Sequence, residues 1–181
     1  AVAFSGDMQS KCARAAQVTV DISTPTVNIE RGLPLRGYAA ALLAFCGVAW
    51  RIAILQGRKS EAERLAFYED LVVSADELQK TLPEIEHQVG DFARKVYQTA
   101  SVYELVGSGT GFTSAWLGRQ ELVGQAGVFG VECSAEDWLH STFFAARPET
   151  IPTVLISPPN SPARSRLEEV EGYMAYLRRP L

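Results

Sequence analysis

The residues with the clearest chemical use are Gly107-Ser108-Gly109-Thr110-Gly111, followed by Thr113 and Ser114. A short apolar run, Val102 to Val106, stops abruptly at them. Glycine lets a backbone approach a bound group closely. The first turn of a helix starting here would offer unpaired N–H groups and the positive end of a dipole, which suit an anion such as phosphate. Thr110, Thr113 and Ser114 would add hydroxyl donors. The same glycines can serve only to seat a helix close on a strand, and at this level both readings stand. The loop is not a Walker A motif, because no Gly-Lys-Ser/Thr follows. It is not a dinucleotide fingerprint either: the spacing to Gly111 is wrong, and no acidic residue closes the next strand at the expected distance.

Such a loop needs a strand before it and a helix after it. Val102 to Val106 reads as the strand, and the amphipathic stretch Ser114 to Val123 as the helix. A second strand is expected over Gly127 to Val131. Ser134 then caps a short helix whose first turn holds Glu136 and Asp137, where negative charge is favoured. Thr153 to Ile156 reads as a third strand. Ser157-Pro158-Pro159-Asn160-Ser161-Pro162 makes a second polar loop, and Ala163 to Arg178 a charged helix. Alternating strands and helices imply right-handed crossovers and a parallel sheet, with ligands beyond the carboxyl ends of its strands. The Gly107 loop, the Glu132 region and the Ser157–Ser161 loop would line one crevice.

Upstream, Ala1 to Phe4 and Val18 to Ile22 read as strands around a short helix from Met8 to Ala16. Ser5-Gly6-Asp7 is a turn carrying an N-cap candidate. Pro34 suits the first turn of a long helix over about Leu35 to Leu55. That helix is apolar almost all round, so burial on most sides is expected, with Tyr38, Phe45 and Trp50 in the core. Ser60 and Glu63 form a capping box. From there to Gln98 the chain is charged and amphipathic, and Leu82-Pro83 divides it into a pair of helices. His87 falls on this stretch, where a solvent-facing place is expected.

With 47% apolar and 21% charged residues among 181, the chain is globular and able to bury a core. A net charge of −4 supplies no basic field and disfavours nucleic acid. The uncharged apolar run Tyr38 to Trp50 is shorter than the roughly twenty residues of a membrane span, so no membrane association is expected. Cys12, Cys46 and Cys133 are odd in number and far apart, which fits a reducing, cytoplasmic setting. His87 and His140 are the two histidines, so a histidine-rich metal site is not expected. The chain opens on Ala1-Val2-Ala3-Phe4 without methionine, and a piece of a longer protein is expected.

Several segments together resemble the SIS (sugar isomerase) domain family. They are Val106 to Thr110 with Ala115, Glu132-Cys133-Ser134-Ala135-Glu136-Asp137-Trp138-Leu139-His140, and Val154-Leu155-Ile156-Ser157. Leu78 to Ile85 resembles the linker helix between tandem SIS domains. Ala1 to Asp7 and Glu30 to Ala44 resemble the back half of a first domain. The resemblance implies flavodoxin-like, three-layer α/β/α units with parallel sheets, joined by a helical linker. Residues 1–58 would be the C-terminal part of a first SIS domain, 59–99 the linker, and 100–181 the N-terminal part of a second.

The family binds phosphosugars with hydroxyls and backbone of two loops. By match these are Gly107, Ser108, Gly109, Thr110 and Thr113 from one loop, and Ser157 and Ser161 from the other. The resemblance implies a phosphosugar-binding enzyme, an aldose–ketose isomerase or an amino-sugar-phosphate (fructosamine phosphate) deglycase, and such enzymes need a carboxylate base and a ring-opening histidine. His140 matches the histidine, although Ser141-Thr142 stands where Gly-Pro is usual. The matching glutamate position falls near Gly124 or Gln125. Glu121, about one turn earlier, or Glu132 would have to substitute. The resemblance implies no metal and no cofactor, a sugar phosphate ligand, and a homodimer or higher homo-oligomer. A non-catalytic phosphosugar-binding module is the alternative, motivated by the missing glutamate and Gly-Pro. A nucleotide-binding α/β protein rests on the glycine loop alone.

Overall fold

The computed structural model describes residues 1–25, 35–96, 100 and 102–180. Pro34, and the start of the segment Glu30 to Ala44, lie outside the described residues. The chain divides into two compact units, Ala1–Pro83 and Glu84–Leu181.

In the first unit, strand β1 (Val2–Ser5) pairs parallel to β2 (Val18–Asp21), with Val2 opposite Val18 and Ser5 opposite Asp21. Helix α1 (Lys11–Ala15) makes the crossover. Its cap is Ser10, whose hydroxyl accepts from the Ala13 amide at 3.2 Å. Asp7 makes an Asx turn instead, accepting from the Gln9 amide at 2.8 Å.

Helix α2 (Leu35–Leu55) runs over the expected residues, but its expected burial does not hold. None of its described side chains is buried, and Phe45 is 54% and Leu55 70% exposed. The physical reason is a shortage of facing surface. A two-stranded sheet offers Phe4 against Phe45, at 4.6 Å between ring centroids, and helix α3 offers Phe67 against Trp50, at 5.5 Å. Its segment Arg36–Leu55, of 20 residues and mean hydropathy 1.9, is long and apolar enough to cross a membrane by length and composition alone.

Helix α3 (Glu61–Val96) is continuous, where two helices were expected. Pro83 lies inside it. An internal proline removes one backbone bond and crowds the carbonyl four residues earlier, at about 3 kcal/mol. Every residue from Val72 to Val89 is exposed, so water can satisfy the Gln79 carbonyl and the helix runs on. The capping box forms as read: the Glu63 amide donates to Ser60 Oγ at 3.2 Å, and the Ser60 amide to Glu63 Oε2 at 2.8 Å.

The second unit is a three-stranded parallel sheet in the order β4-β3-β5. Strand β3 (Tyr103–Gly107) is central, flanked by β4 (Gly130–Ser134) and β5 (Thr153–Ile156). This is a flavodoxin-like order, with the first strand between the second and third. Helix α4 (Thr110–Glu121) follows β3 and passes into a π-helical turn, Leu122–Ala126. Gly127, with φ 65°, ends that turn, and β4 therefore starts three residues later than expected. Helix α5 (Ala135–His140) follows β4, with Ser134 capping it as read; its hydroxyl accepts from the Asp137 amide at 3.0 Å. Helix α6 (Arg164–Tyr176) follows β5.

Strand residues alternate between faces. Val106 joins Ala135 and Trp138 of α5 and Leu167, Val170 and Met174 of α6 in one buried cluster. Leu105 points to the other face, where it packs on Gly118 of α4. The sheet is thus sandwiched between α4 and the α5–α6 pair, giving three layers.

Candidate functional site

The three strand ends meet at the glycine loop. Gly107, the last residue of β3, is level with Ser134 at the end of β4 and Ile156 at the end of β5. Helix α4 begins at Thr110, four residues earlier than its amphipathic pattern announces, so Gly111 and Thr113 are already helical. Close approach explains the glycines. A Cβ on Gly107 would stand 2.5 Å from the Gly111 carbonyl carbon, and one on Gly111 would stand 2.8 Å from the Ile156 oxygen. The first turn of α4 therefore touches both its own strand and the start of the Ser157 loop.

The helix start is open. Its N-cap, Gly109, has φ 57° and ψ −125°, a conformation that side chains disfavour, and no side chain caps the turn. Gly109, Thr110 and Thr113 are exposed, and Gly107 is buried beneath them. Ser108 is half-buried, and its Oγ accepts from the Ala135 amide at 3.2 Å. Its hydroxyl proton is left to donate elsewhere. Ser157 is exposed one residue beyond the Gly107–Ile156 pair. Ser161 is half-buried and accepts from the Ala163 amide at 3.3 Å in the turn before α6. What this arrangement can do is hold an anion against backbone amides and hydroxyls at a helix dipole's positive end.

The three candidate catalytic groups lie apart from this loop. Glu121 ends α4, and eleven residues of helical rise put it about 16 Å from Thr110. Glu132 shares the α4 face with Leu105, its register partner, and Arg119 Nε lies 2.6 Å from its Oε2. That contact is ionic and not aligned as a hydrogen bond. His140 ends α5 on the opposite face of the sheet. Its Nε2 is 3.1 Å from Glu136 Oε1, and its side chain is 74% exposed. It lines a cavity of about 230 Å³ with Leu139, Phe143, Phe144, Arg166, Glu169 and Tyr173, none of them from the glycine loop. Glu132 and His140 thus have separate partners on separate faces. Among the described residues no cluster of three or more histidine, cysteine or acidic side chains could hold a metal ion.

Beneath the loop runs a buried polar network that sequence reasoning missed. Glu104 of β3 is 1% exposed. Its Oε2 accepts from Arg179 Nη1 at 2.6 Å, from Trp138 Nε1 at 2.8 Å and from Thr153 Oγ1 at 3.2 Å. Arg179 also donates to the Thr142 carbonyl at 2.9 Å and lies 5.1 Å from the Trp138 ring centroid. The signal was an acid inside an apolar strand, Val102-Tyr103-Glu104-Leu105-Val106. The network fixes α5, and through the Ser108–Ala135 bond α5 borders the loop. On the same side, burial raises the Cys133 thiol above its ordinary value, against a smaller lowering by its Thr142 hydrogen bond. A thiol kept protonated is a poor nucleophile.

Fold and loop define the class: an α/β protein with parallel sheets, flavodoxin-like strand order and an uncapped, glycine-rich strand-to-helix turn. No protein-family model matches the sequence, and no curated protein matches it. By structure the chain is similar to a protein of Clostridium difficile 630 provisionally named a phosphosugar isomerase, with a TM-score of 0.76 and 10% identity, over 96% of this chain and 48% of that one. It is also similar to a protein of Salmonella typhimurium LT2 provisionally named a sugar-binding protein, with a TM-score of 0.64 and 16% identity, over 94% of this chain and 50% of that one. The chain thus spans about half the length of these solved proteins. At such identities the likeness is one of fold.

Proposed function

We propose that this chain is a phosphosugar-binding protein of the SIS type, with the phosphate on the glycine loop. The uncapped N-terminus of α4 carries the reading. It stands at the carboxyl end of the central strand, flanked by Ser108, Thr110 and Thr113; the Gly111 and Phe112 amides donate to the Ser108 and Gly109 carbonyls at 3.1 and 3.2 Å, so a bound oxyanion would meet the Gly109 and Thr110 amides, the neighbouring hydroxyls and the positive end of the helix. Ser157 from the neighbouring loop would add a hydroxyl. The names of the two structural neighbours, a phosphosugar isomerase and a sugar-binding protein, support the ligand class.

The geometry of the described residues supports binding better than turnover. Aldose–ketose isomerisation and deglycation both need a carboxylate that shuttles a proton at the sugar carbons. Glu121 is a helix length away, and Glu132 is held by Arg119. An isomerase or deglycase role for this chain would draw that carboxylate from elsewhere in an assembly. A cytoplasmic setting belongs to the same proposal, supported by three free cysteines. So does the absence of membrane association, against which the composition of α2 weighs.

A thermal-shift panel tests the reading. Hexose and hexosamine phosphates should raise the midpoint, and free sugars and nucleotides should not. The variant Gly111→Ala pushes a Cβ to within 2.8 Å of the Ile156 oxygen and 3.3 Å of Pro158 Cδ. It should fold with a displaced loop and lose about tenfold or more in phosphosugar affinity. Stabilisation by nucleotides alone, or by no phosphorylated ligand, would remove the proposal. Turnover of a hexosamine phosphate by the chain would restore the enzymatic reading.

A further inference from the structure

The aromatic residues between α5 and α6 form a cavity that phosphosugar binding on the glycine loop does not use. Phe143 and Phe144 belong to the short turn Thr142–Phe144, and Tyr173 to α6. Phe144 and Tyr173 each lie 5.1 Å from Phe143 between ring centroids, with planes turned from it by 86° and 69°. Three rings so inclined bound one cavity of about 230 Å³, as the sides of a box do. The box is held from behind. Trp138 of the buried cluster meets Phe143 edge-on at 6.1 Å, and Arg179 holds the Thr142 carbonyl. Yet Phe144 is 74% exposed, a large apolar ring left in water.

The charges around this cavity choose the sign of its ligand. An aromatic ring presents a negative face, which attracts a cation within about 6 Å of its centroid. The chain's own cations already lie over Trp50, Tyr68 and Trp138. Among the described residues none lies over Phe143, Phe144 or Tyr173. Arg166 lines the cavity, but its guanidinium is taken. Its Nε lies 3.2 Å from Glu136 Oε2, and its Nη1 donates to Glu169 Oε2 at 2.8 Å. With His140 neutral, two carboxylates against one guanidinium leave an excess of negative charge at the rim. An anion would meet that excess, and a cation is drawn by it.

We infer that this aromatic box binds a small methylated ammonium ion, with Phe143, Phe144 and Tyr173 around its methyl groups and Glu169 beside its charge. A quaternary ammonium has no N–H to hydrogen-bond, so water holds it weakly and ring faces replace that water at little cost. The cavity is smaller than the roughly 300–1,000 Å³ that takes a drug-sized molecule, so it fits a headgroup. A second hollow of about 340 Å³ adjoins it, sharing Glu169 and Tyr173 and adding Gly172 and Tyr176. Gly172 lies inside α6, where alanine is the better helix former, and a Cβ there would meet nothing within 4 Å. A short alkyl tail lies over this notch against Tyr176. A peptide backbone would find no helix amide or carbonyl free to pair with it there, which favours a free small ion over a methylated lysine of another protein. The inference is independent of what the glycine loop binds.

Titration of the intact chain with choline chloride, followed by nuclear magnetic resonance of the Phe144 and Tyr173 rings, tests it. Their shifts should move and saturate. The uncharged carbon analogue, in which a tert-butyl group replaces the trimethylammonium, should bind at least about tenfold more weakly. Phe144→Leu keeps an exposed apolar side chain but removes a ring face, and should weaken choline about fivefold or more, read on Tyr173. Glu169→Gln should weaken it about threefold or more. Glu168→Gln, the same charge change on α6 at a residue that does not line the cavity, should leave it unchanged. Circular dichroism should be the same for all three variants. Equal binding of choline and its neutral analogue overturns the inference, and so does a choline response that survives both Phe144→Leu and Glu169→Gln. The absence of a saturable shift up to about 100 mM choline overturns it as well. Tighter binding of a trimethyl-lysine peptide than of choline overturns the assignment to a free small ion.

Discussion

At the scale of residues, the second unit depends on one buried charge pair. Glu104 and Arg179 are removed from water together, with side chains 1% and 0% exposed. Taking two ions out of water costs several kcal/mol each, and only close pairing with further hydrogen bonds offsets it. Glu104 Oε2 has three donors, but Glu104 Oε1 and Arg179 Nε have no hydrogen-bond partner among the described residues. The pair therefore ties the segment after α6 to the central strand without being an optimal source of stability. Removing one member strands the other. Arg179→Met should lower unfolding free energy by about 3–5 kcal/mol in urea titrations, while Glu104→Gln with Arg179→Met should recover most of that loss. Glutamine keeps an acceptor for Trp138 Nε1 and leaves no buried ion. A double variant as unstable as the single one would show that Arg179 acts through packing on Trp138 and not through charge.

At the scale of elements, helix ends are where local sequence and structure agree best. The Ser60–Glu63 box, the Ser134 cap and the Thr153–Ile156 strand are all written in adjacent residues, and all form as read. Disagreement arises where a distant partner decides. The amphipathic pattern starts α4 at Ser114, but Gly111 can enter the helix because its missing Cβ leaves room for the Ile156 oxygen, contributed by another strand. The Ser60–Glu63 box also carries a pH signature. Hydrogen bonds from Lys59, and then from the Ser60 amide and hydroxyl, lower the Glu63 carboxyl from its ordinary 4.5 to about 2. A carboxyl depressed in the folded state stabilises it above its unfolded value, and that contribution fades as pH falls through the folded value. The first turn of α3 should therefore keep its order above pH 4.5 and lose it progressively toward pH 2. Nuclear magnetic resonance shifts of the Ser60 and Glu63 amides would show it, and Glu63→Gln should abolish the pH dependence. An unchanged titration in that variant would place the effect on another group, Glu61 and its Arg64 partner being the nearest.

At the scale of the whole molecule, sequence disclosed the parallel α/β class and the glycine loop, because alternation of elements and loop chemistry are local. It did not disclose where His140, Glu121 and Glu132 would stand relative to that loop. Those positions depend on which sheet face each helix covers and how far each helix runs, and neither is encoded near the residues concerned. Burial of α2 was misjudged for a related reason: an apolar helix says what it needs and not whether the chain supplies it. The same imbalance divides stability between the units. Among the described residues of Ala1–Pro83, Ala13 is the one buried apolar side chain. Glu84–Leu181 buries Val106, Trp138, Leu167, Val170 and Met174 in one cluster. Apolar burial contributes about 25 cal/mol per Å², so the two units draw on very different driving forces. Local opening free energies range from near zero to the global value, following such differences in burial. Native-state hydrogen exchange on the isolated chain should find the slowest amides in β3, β4 and β5, and amides of β1 and β2 exchanging at least about 100-fold faster. If instead β1 and β2 were protected as strongly as β3, apolar surface on α2 would have to be covered in solution, by another copy or by a partner. Repeating the exchange with Leu42→Glu would test this, because protection gained by covering α2 should disappear when a charge is placed on that face.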